Sequence, residues 1–418
     1  MFPPPLQCYL LTIDLDYAAV NPLPVAVSSS RLLADLCGPA GLSPTDVATA
    51  IAQTVGQPIS GPPLAQHVVP GDRVVIAIPS PLPGGNATLE LVVQGLTSSL
   101  ADGGVAPVDI SVLVAPPLDL LGPDRSPAAL PTGLKEQTHY FLAETDEQTA
   151  YLLADAEGEP LHLARELVDA DVVVAVETFS IDPALGGRSP ASELWPGFGR
   201  QDRRLSLTRS LLHARKPALT AWKKLAGAVT DQLGVLASLR LVPGCGHSLA
   251  GCTFGLPADS TRHSRMIAQA WRPAIPQRAA LTIAGINVPD CTLATLTRAV
   301  AAAARTTRPD GTICIACSLA GLPDGLFTSW RRGESLFSVV GDAANSDDPL
   351  ILGEALQTLL FAKALGNRRL VLFSGLDEDT VEELDVGHAD SPEAVQRLIH
   401  QADSVIVLHE ADRLCPRH

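Results

Sequence analysis

The stretch Asp171–Arg200, DVVVAVETFSIDPALGGRSPASELWPGFGR, decides how the rest of the chain is read. It opens on an unbroken β-branched and apolar run, Val172 to Val176. That is the pattern of a strand covered on both faces, not of one alternating between core and solvent. Nine residues of loop, a Gly186-Gly187-Arg188 turn and a Pro196-Gly197 turn follow, too much glycine and too much length for a plain connector. Open α/β sheets bind their ligands beyond the carboxyl ends of parallel strands. The loop is therefore where functional side chains are expected, around the Gly186-Gly187-Arg188 turn.

Outward from this strand the chain repeats a strand-helix-strand grammar. Before it, Arg73 to Ile78 reads as a buried strand, Ala87 to Ala101 as a helix and Asp109 to Ala115 as a second strand, a unit whose right-handed crossover makes the sheet parallel. Gly84-Gly85-Asn86, between the first strand and the helix, reads either as a phosphate cradle of free backbone amides or as an ordinary turn into a helix. It is neither a P-loop nor a G-x-G-x-x-G motif. Nearer the amino terminus, Gln7 to Asp14 reads as a strand, Asn21 to Pro24 as loop, and Ser43 caps a helix that Pro44 starts and Gln57-Pro58 ends. Leu161 to Val168 reads as a short helix.

After the opening loop come helices over Arg204–Arg215 and Thr220–Leu233, the second with a possible break at Gly227 and with Lys223 able to face a cleft. A hairpin follows, Ala237 to Val242 and Leu249 to Phe254, then a helix over Asp259–Gln269 and a linker at Trp271–Gln277. From Ala279 the grammar restarts: strand, helix Thr292–Arg305, a Pro309-Asp310-Gly311 turn, strand Thr312–Cys317, helix Leu350–Leu365, strand Arg369–Phe373, helix Ser391–Ala402 and strand Ser404–Leu408. The expected architecture is two α/β domains with mostly parallel sheets and an interdomain cleft, residues 1–270 and 276–418.

A chain of 418 residues is long for one core, which agrees with two domains. The formal net charge of −15 argues against a nucleic-acid partner and an anionic membrane surface, because phosphate binding needs concentrated basic charge. No basic leader and no apolar run of membrane-spanning length occurs, and the scattered cysteines fit reduced thiols, so a cytoplasmic location is expected. Cys245, His247 and Cys252 are a possible metal set lacking a fourth ligand. Cys314 and Cys317 have redox spacing but face opposite sides of a strand, which favours packing. No nucleophile elbow, zinc-protease helix or paired-carboxylate signature is present.

Taken in order, the segments resemble the lactate racemase family. Val47–Ile78, VATAIAQTVGQPISGPPLAQHVVPGDRVVIAI, is similar to that family's opening helix, proline-rich turn and glycine-led strand. The resemblance continues through Asp171–Val176, Gly186-Gly187-Arg188, the hairpin Ala237–Phe254, Arg308-Pro-Asp-Gly-Thr-Ile and the block Val371–Leu408, covering nearly the whole chain. It implies an intracellular two-domain protein whose cleft holds a nickel-pincer nucleotide tethered to a lysine. In such proteins a hydride moves between a 2-hydroxy acid and the cofactor, with histidines as acid, base and nickel ligand.

Position by position, the residues that the resemblance requires are replaced. The family's Asp-x-Thr-Arg-Pro loop is Ser80-Pro81-Leu82-Pro83-Gly84 here, and the histidine after the next strand falls at Asp119. In the opening loop the histidine position is Phe179 and the tethering lysine is Ser189, while the remaining histidine falls near Leu205. No histidine occurs between His162 and His213. The expectation is a divergent relative without the racemase reaction, keeping a cleft for a small anion or nucleotide bound by Arg188, Gly84-Gly85-Asn86 and Lys223. No cofactor is expected; the nickel-pincer nucleotide enters only if the reaction is retained. The alternatives are an active isomerase with Asp119 as base, which would need burial to raise its proton affinity, and an interaction protein without a small-molecule site. The expected partner is a small molecule, and the oligomeric state stays open.

Overall fold

A computed structural model of the chain describes residues 9–18, 22–121, 130, 137–141, 146–322 and 324–417. The strands, in chain order, are β1 (Leu10–Leu15), β2 (Leu23–Ser28), β3 (Leu32–Leu36), β4 (Val74–Ile78), β5 (Ile110–Val114), β6 (Thr138–Tyr140), β7 (Thr149–Ala154), β8 (Pro160–Ala164), β9 (Val172–Thr178), β10 (Ala237–Pro243), β11 (Leu249–Gly255), β12 (Ala279–Gly285), β13 (Thr307–Ala316), β14 (Arg369–Phe373), β15 (Gly387–His388) and β16 (Val405–Leu408). They form two six-stranded sheets and two small hairpins. The first sheet has the order β11-β10-β9-β4-β5-β6, parallel except for β11. The second is parallel throughout, in the order β15-β14-β13-β12-β16-β3.

The unbroken apolar runs of β4 and β9 follow from their central position, with Val74 opposite Val172 and Ile76 opposite Val174. One face of this pair, with Ile76, Ile78, Val174 and Val176, packs on helices Pro44–Gly56 and Gly85–Asp102. The other, with Val75, Ala77, Val173 and Ala175, packs on the long helix Gln201–Gln232 through Leu211 and Trp222. Each fully buried aliphatic side chain contributes about 1.5–3 kcal/mol, so covering both faces holds this region rigidly in place. That second cluster also contains Ala294, Ala301, Leu352 and Leu356, from helices Leu293–Thr306 and Pro349–Leu365 of the other half. The two halves thus share an apolar core beneath the loops.

Several elements differ from expectation. The first strand is β1, which pairs antiparallel with β2, so Leu23 and Pro24 are strand residues and not loop; Gln7 and Cys8 lie outside the described residues. Proline is tolerated because this two-stranded ribbon has only edges. β3 pairs in parallel with β16 at the rim of the second sheet. Leu15, Leu23, Val25 and Val27 pack against Leu281, Ile283, Val405 and Val407. β1, β2 and β3 therefore build the second half although they precede the first in sequence. Leu161–Val168 is not one helix: β8 pairs with β7 across a turn at Gly158 (φ +85°), and only Arg165–Val168 is helical. Pro309-Asp310-Gly311 lies within β13. The long helix is interrupted at Ala214 (φ −148°, ψ 75°), ahead of Pro217, instead of at Gly227. Much of the proline-rich stretch Pro116–Thr138, and Leu142, lie outside the described residues. Among the described residues no helix is long and apolar enough to cross a membrane.

Candidate functional site

The loop after β9 is held at its root by Thr178, whose hydroxyl donates to the Pro81 carbonyl at 3.0 Å, and by the Phe179 amide, which donates to Leu241 O at 2.7 Å. Asp182 then organises the turn. Its Oδ1 accepts from the Ala184 and Leu185 amides at 2.9 and 3.1 Å, and its carbonyl accepts from the Gly187 amide at 2.8 Å. Gly186 and Gly187 take φ of +94° and +103°. A Cβ on Gly187 would stand 3.0 Å from Cys415 Sγ and 3.5 Å from Arg272 Nη2. Glycine is required there by conformation and by space together, and that close approach brings Arg188 and Arg272 to one place.

That place is a cavity of about 340 Å³ beside the end of β9, whose lining includes Arg188, Arg240, Arg265, Arg272 and Arg417 against the carboxylate of Glu193. In a chain of net charge −15 such a concentration of guanidinium is local and specific. Arg188 is half-buried, 5.9 Å over the Trp222 ring. Burial, then the neighbouring Arg265, pull it below its ordinary value, and Glu193 only partly offsets them. Among the described residues no acceptor bonds the guanidinium of Arg188, Arg265 or Arg272, and Arg272 Nε is buried without a partner. A buried cationic donor left in this way is costly unless an anion completes it.

Arg240 is the exception, being committed to protein carboxylates. Its Nη2 lies 2.7 Å from Glu177 Oε2 and 3.6 Å from Glu193 Oε2. Burial works against its charge, but Glu177 and Glu193 outweigh it and hold Arg240 above its ordinary value. Glu177 is 3% exposed. Burial pushes it up to about 7 against the pull of Arg240, with Glu193 adding to the rise and Ser238 Oγ, a donor at 2.9 Å, opposing it.

A second cavity, about 540 Å³, lies between the two halves. It shares Thr178, Phe179 and Ser180 with the first, and His247, Arg298, Asp412 and Arg413 face it. Gly84 and Gly85 line it, yet their amides donate to His247 O at 2.8 Å and Leu82 O at 3.0 Å. The phosphate-cradle reading fails for these two amides, because both are satisfied within the protein. Asn86 is exposed in the first turn of its helix. Lys223 is exposed and lines neither cavity.

Asp119 is drawn into an ion bridge between the halves. Arg298, on helix Leu293–Thr306, donates to Asp119 Oδ1 at 2.5 Å and, through Nε, to Asp182 Oδ2 at 2.9 Å. Burial alone would lower Arg298, but the two carboxylates raise it strongly. Both carboxylate oxygens of Asp119 are thus engaged by one guanidinium, which leaves neither free to act as a base. The cysteine–histidine set does not converge, since Cys252 Sγ packs against Thr54 Oγ1 at 3.3 Å on the first helix. Among the described residues no group of three or more His, Cys, Asp or Glu could hold a metal. Cys314 and Cys317 enter different apolar clusters, as their spacing on a strand predicts.

Of the residues singled out in sequence, Gly187 and Arg188 enter the arginine cavity and Gly186 its turn, while Asp119, Asn86 and Lys223 stand elsewhere. Missed were Glu177, Glu193, Arg240, Arg265, Arg272 and Arg417. Arg240 carried a signal, a charge inside the apolar strand Ala237–Pro243. Arg272 and Arg417, whose Nε donates to Arg272 O at 3.1 Å across 145 residues, carried none.

No family model and no curated protein sequence matches the chain. Solved structures do. The chain is similar to the lactate racemase apoprotein from Thermoanaerobacterium thermosaccharolyticum at 14% identity, with a TM-score of 0.73 over 98% of this chain and 100% of that one. It is also similar to a Thermotoga maritima protein, Northeast Structural Genomics Consortium Target VR152, at 12% identity, with a TM-score of 0.57 over 91% of this chain and 99% of that one. The chain therefore has the lactate racemase fold over nearly its whole length.

Proposed function

We propose that this chain is a divergent relative of lactate racemase that binds a small anion in the arginine cavity and does not carry out nickel-pincer racemisation. The observation that supports binding is the convergence of Arg188, Arg265 and Arg272 without acceptors among the described residues, with Arg272 Nε buried. Guanidinium forks match carboxylate and phosphate oxygens, and a bound anion would remove their mutual repulsion.

The residues present do not fit a lysine-tethered nickel nucleotide. Ser189 stands where the resemblance places the lysine, and its hydroxyl accepts from the Ala191 amide at 3.3 Å, capping a short turn. Phe179 and Leu205 offer carbon where imidazoles are needed, and Leu205 packs against the core. Asp119 is held by Arg298. Fold alone does not carry an activity from one protein to another.

The test has two parts. Protein purified from nickel-replete cells should carry neither stoichiometric nickel nor an added cofactor mass; finding either would overturn the loss of the reaction. Thermal unfolding at fixed ionic strength should rise with small oxyanions, by about 2.7 kcal/mol of stability at a hundredfold excess over Kd. Arg272→Ala should remove the rise. An unchanged midpoint with every anion tried would overturn the binding reading.

A further inference from the structure

We propose that the arginine cavity takes the phosphoryl group of a small phosphate monoester, with the organic part directed past Phe179 into the cleft between the halves. The inference deepens the anion reading above and rests on it. Three guanidinium groups there lack acceptors among the described residues, and the Glu193 carboxylate that shares the cavity faces Arg240 at 3.6 Å. A carboxylate brings one charge and two oxygens. A phosphate monoester brings a charge of about −1.5 to −2 at neutral pH and three terminal oxygens. Of the two, only the phosphate monoester supplies an oxygen to each of Arg188, Arg265 and Arg272, and its charge comes closer to that of the three cations.

The shape adds a separate argument. The cavity volume, about 340 Å³, exceeds what a bare inorganic oxyanion fills, and it falls in the range of small-molecule sites. Its apolar wall is Phe179, Met266 and Trp222, so carbon as well as charge is accommodated. Thr178, Phe179 and Ser180 line both this cavity and the 540 Å³ cleft, so the β9 loop borders both and an organic group that passes Phe179 meets the cleft. Gly187 sets the phosphoryl end by letting Arg272 pack against the backbone next to Arg188.

The experiment holds the organic part constant and changes the head group: calorimetric titration with phenyl phosphate, benzenesulfonate and benzoate at pH 7.5 and fixed ionic strength, with inorganic phosphate alongside. Phenyl phosphate should bind about tenfold or more tighter than either monoanion, about 1.4 kcal/mol, and tighter than inorganic phosphate. Arg272→Ala and Arg265→Ala should each abolish the preference over the monoanions. Arg265 is exposed, so its replacement tests the site without threatening the fold. Equal or tighter binding of benzoate or benzenesulfonate would overturn the phosphate assignment while leaving an anion site. Phenyl phosphate no tighter than inorganic phosphate would overturn the direction of the organic part. Binding unchanged in both variants would place the ligand elsewhere and overturn this inference, and absence of binding by any probe would overturn the anion reading with it.

Discussion

Glu177 sits under the floor of the arginine cavity with a cation 2.7 Å away, and its carboxyl is nonetheless pushed up to about 7. Burial opposes its ionisation, and Glu193 adds a second negative charge that Arg240 has to serve as well. Between its ordinary value of 4.5 and about 7, the folded chain keeps a proton that the unfolded chain has released. This group's contribution to stability therefore declines as pH rises through that window and is lost above it. Replacing Glu177 by Gln removes the titration. Denaturant unfolding at about pH 5 and pH 8 should show the native chain losing on the order of 2–3 kcal/mol relative to Glu177→Gln between them. A difference between the two proteins that does not change with pH would mean that Glu177 is ionised throughout. At this scale the sequence was partly legible. Arg188 could be found because a Gly-Gly turn after a buried strand points to a ligand loop. Arg240 and Glu177 were legible in principle, one as a charge inside an apolar strand and the other as a charge at the end of an apolar run. Arg272 and Arg417 were not, because nothing local says that a linker and the carboxyl-terminal segment meet the β9 loop.

The elements that carry the site are joined by one guanidinium. Arg298 reaches from helix Leu293–Thr306 to Asp119 after β5 and to Asp182 after β9, so it ties the second half to two loops of the first. Removing it leaves two carboxylates near one another in a site where Asp182 is 3% exposed. Arg298→Ala should cost about 3–5 kcal/mol in denaturant unfolding, the usual penalty for stranding a buried charge. Adding Asp119→Asn and Asp182→Asn to that variant should recover part of the loss, because the three residues act as a unit. A cost below about 1 kcal/mol would show the bridge to be solvent-screened. Such a link was invisible in sequence, where Asp119 read as a candidate base. The central elements were legible because their covering on both faces leaves a signature in composition: β4 and the first five residues of β9 are continuous apolar runs, and Ser43 caps its helix as its position predicts. β8 was misread because HLAREL suits either a strand or a helix, and its pairing with β7 decides for the strand.

On the scale of the whole molecule, chain order and spatial order part company. A boundary near residue 275 separates the two sheets except at β3, and the β1–β2 ribbon also packs with the second half. A short β-rich segment followed by a helix gives no local sign of which sheet it will join, so residues 10–36 read as the start of the first half. The packing gives a sharper expectation. Residues 276–418 alone would lose the edge partner of β16 and leave one face of Leu281, Ile283, Val405 and Val407 without Leu15, Leu23, Val25 and Val27. At about 25 cal/mol for each Å² of apolar surface re-exposed, and with stabilities of only about 5–15 kcal/mol for whole proteins, that loss is decisive. The fragment 276–418 should therefore lack a cooperative thermal transition. Joining residues 9–36 to it through a flexible Gly-Ser linker should shift it toward cooperative unfolding, read by far-ultraviolet circular dichroism and calorimetry. Helices Leu293–Thr306 and Pro349–Leu365 also lend Ala294, Ala301, Leu352 and Leu356 to the core shared with the first half. The joined fragment should accordingly remain less stable than the full chain. Cooperative unfolding of 276–418 without the amino-terminal segment would show that the second sheet closes its own core, and that β3 is an addition to it and not a requirement.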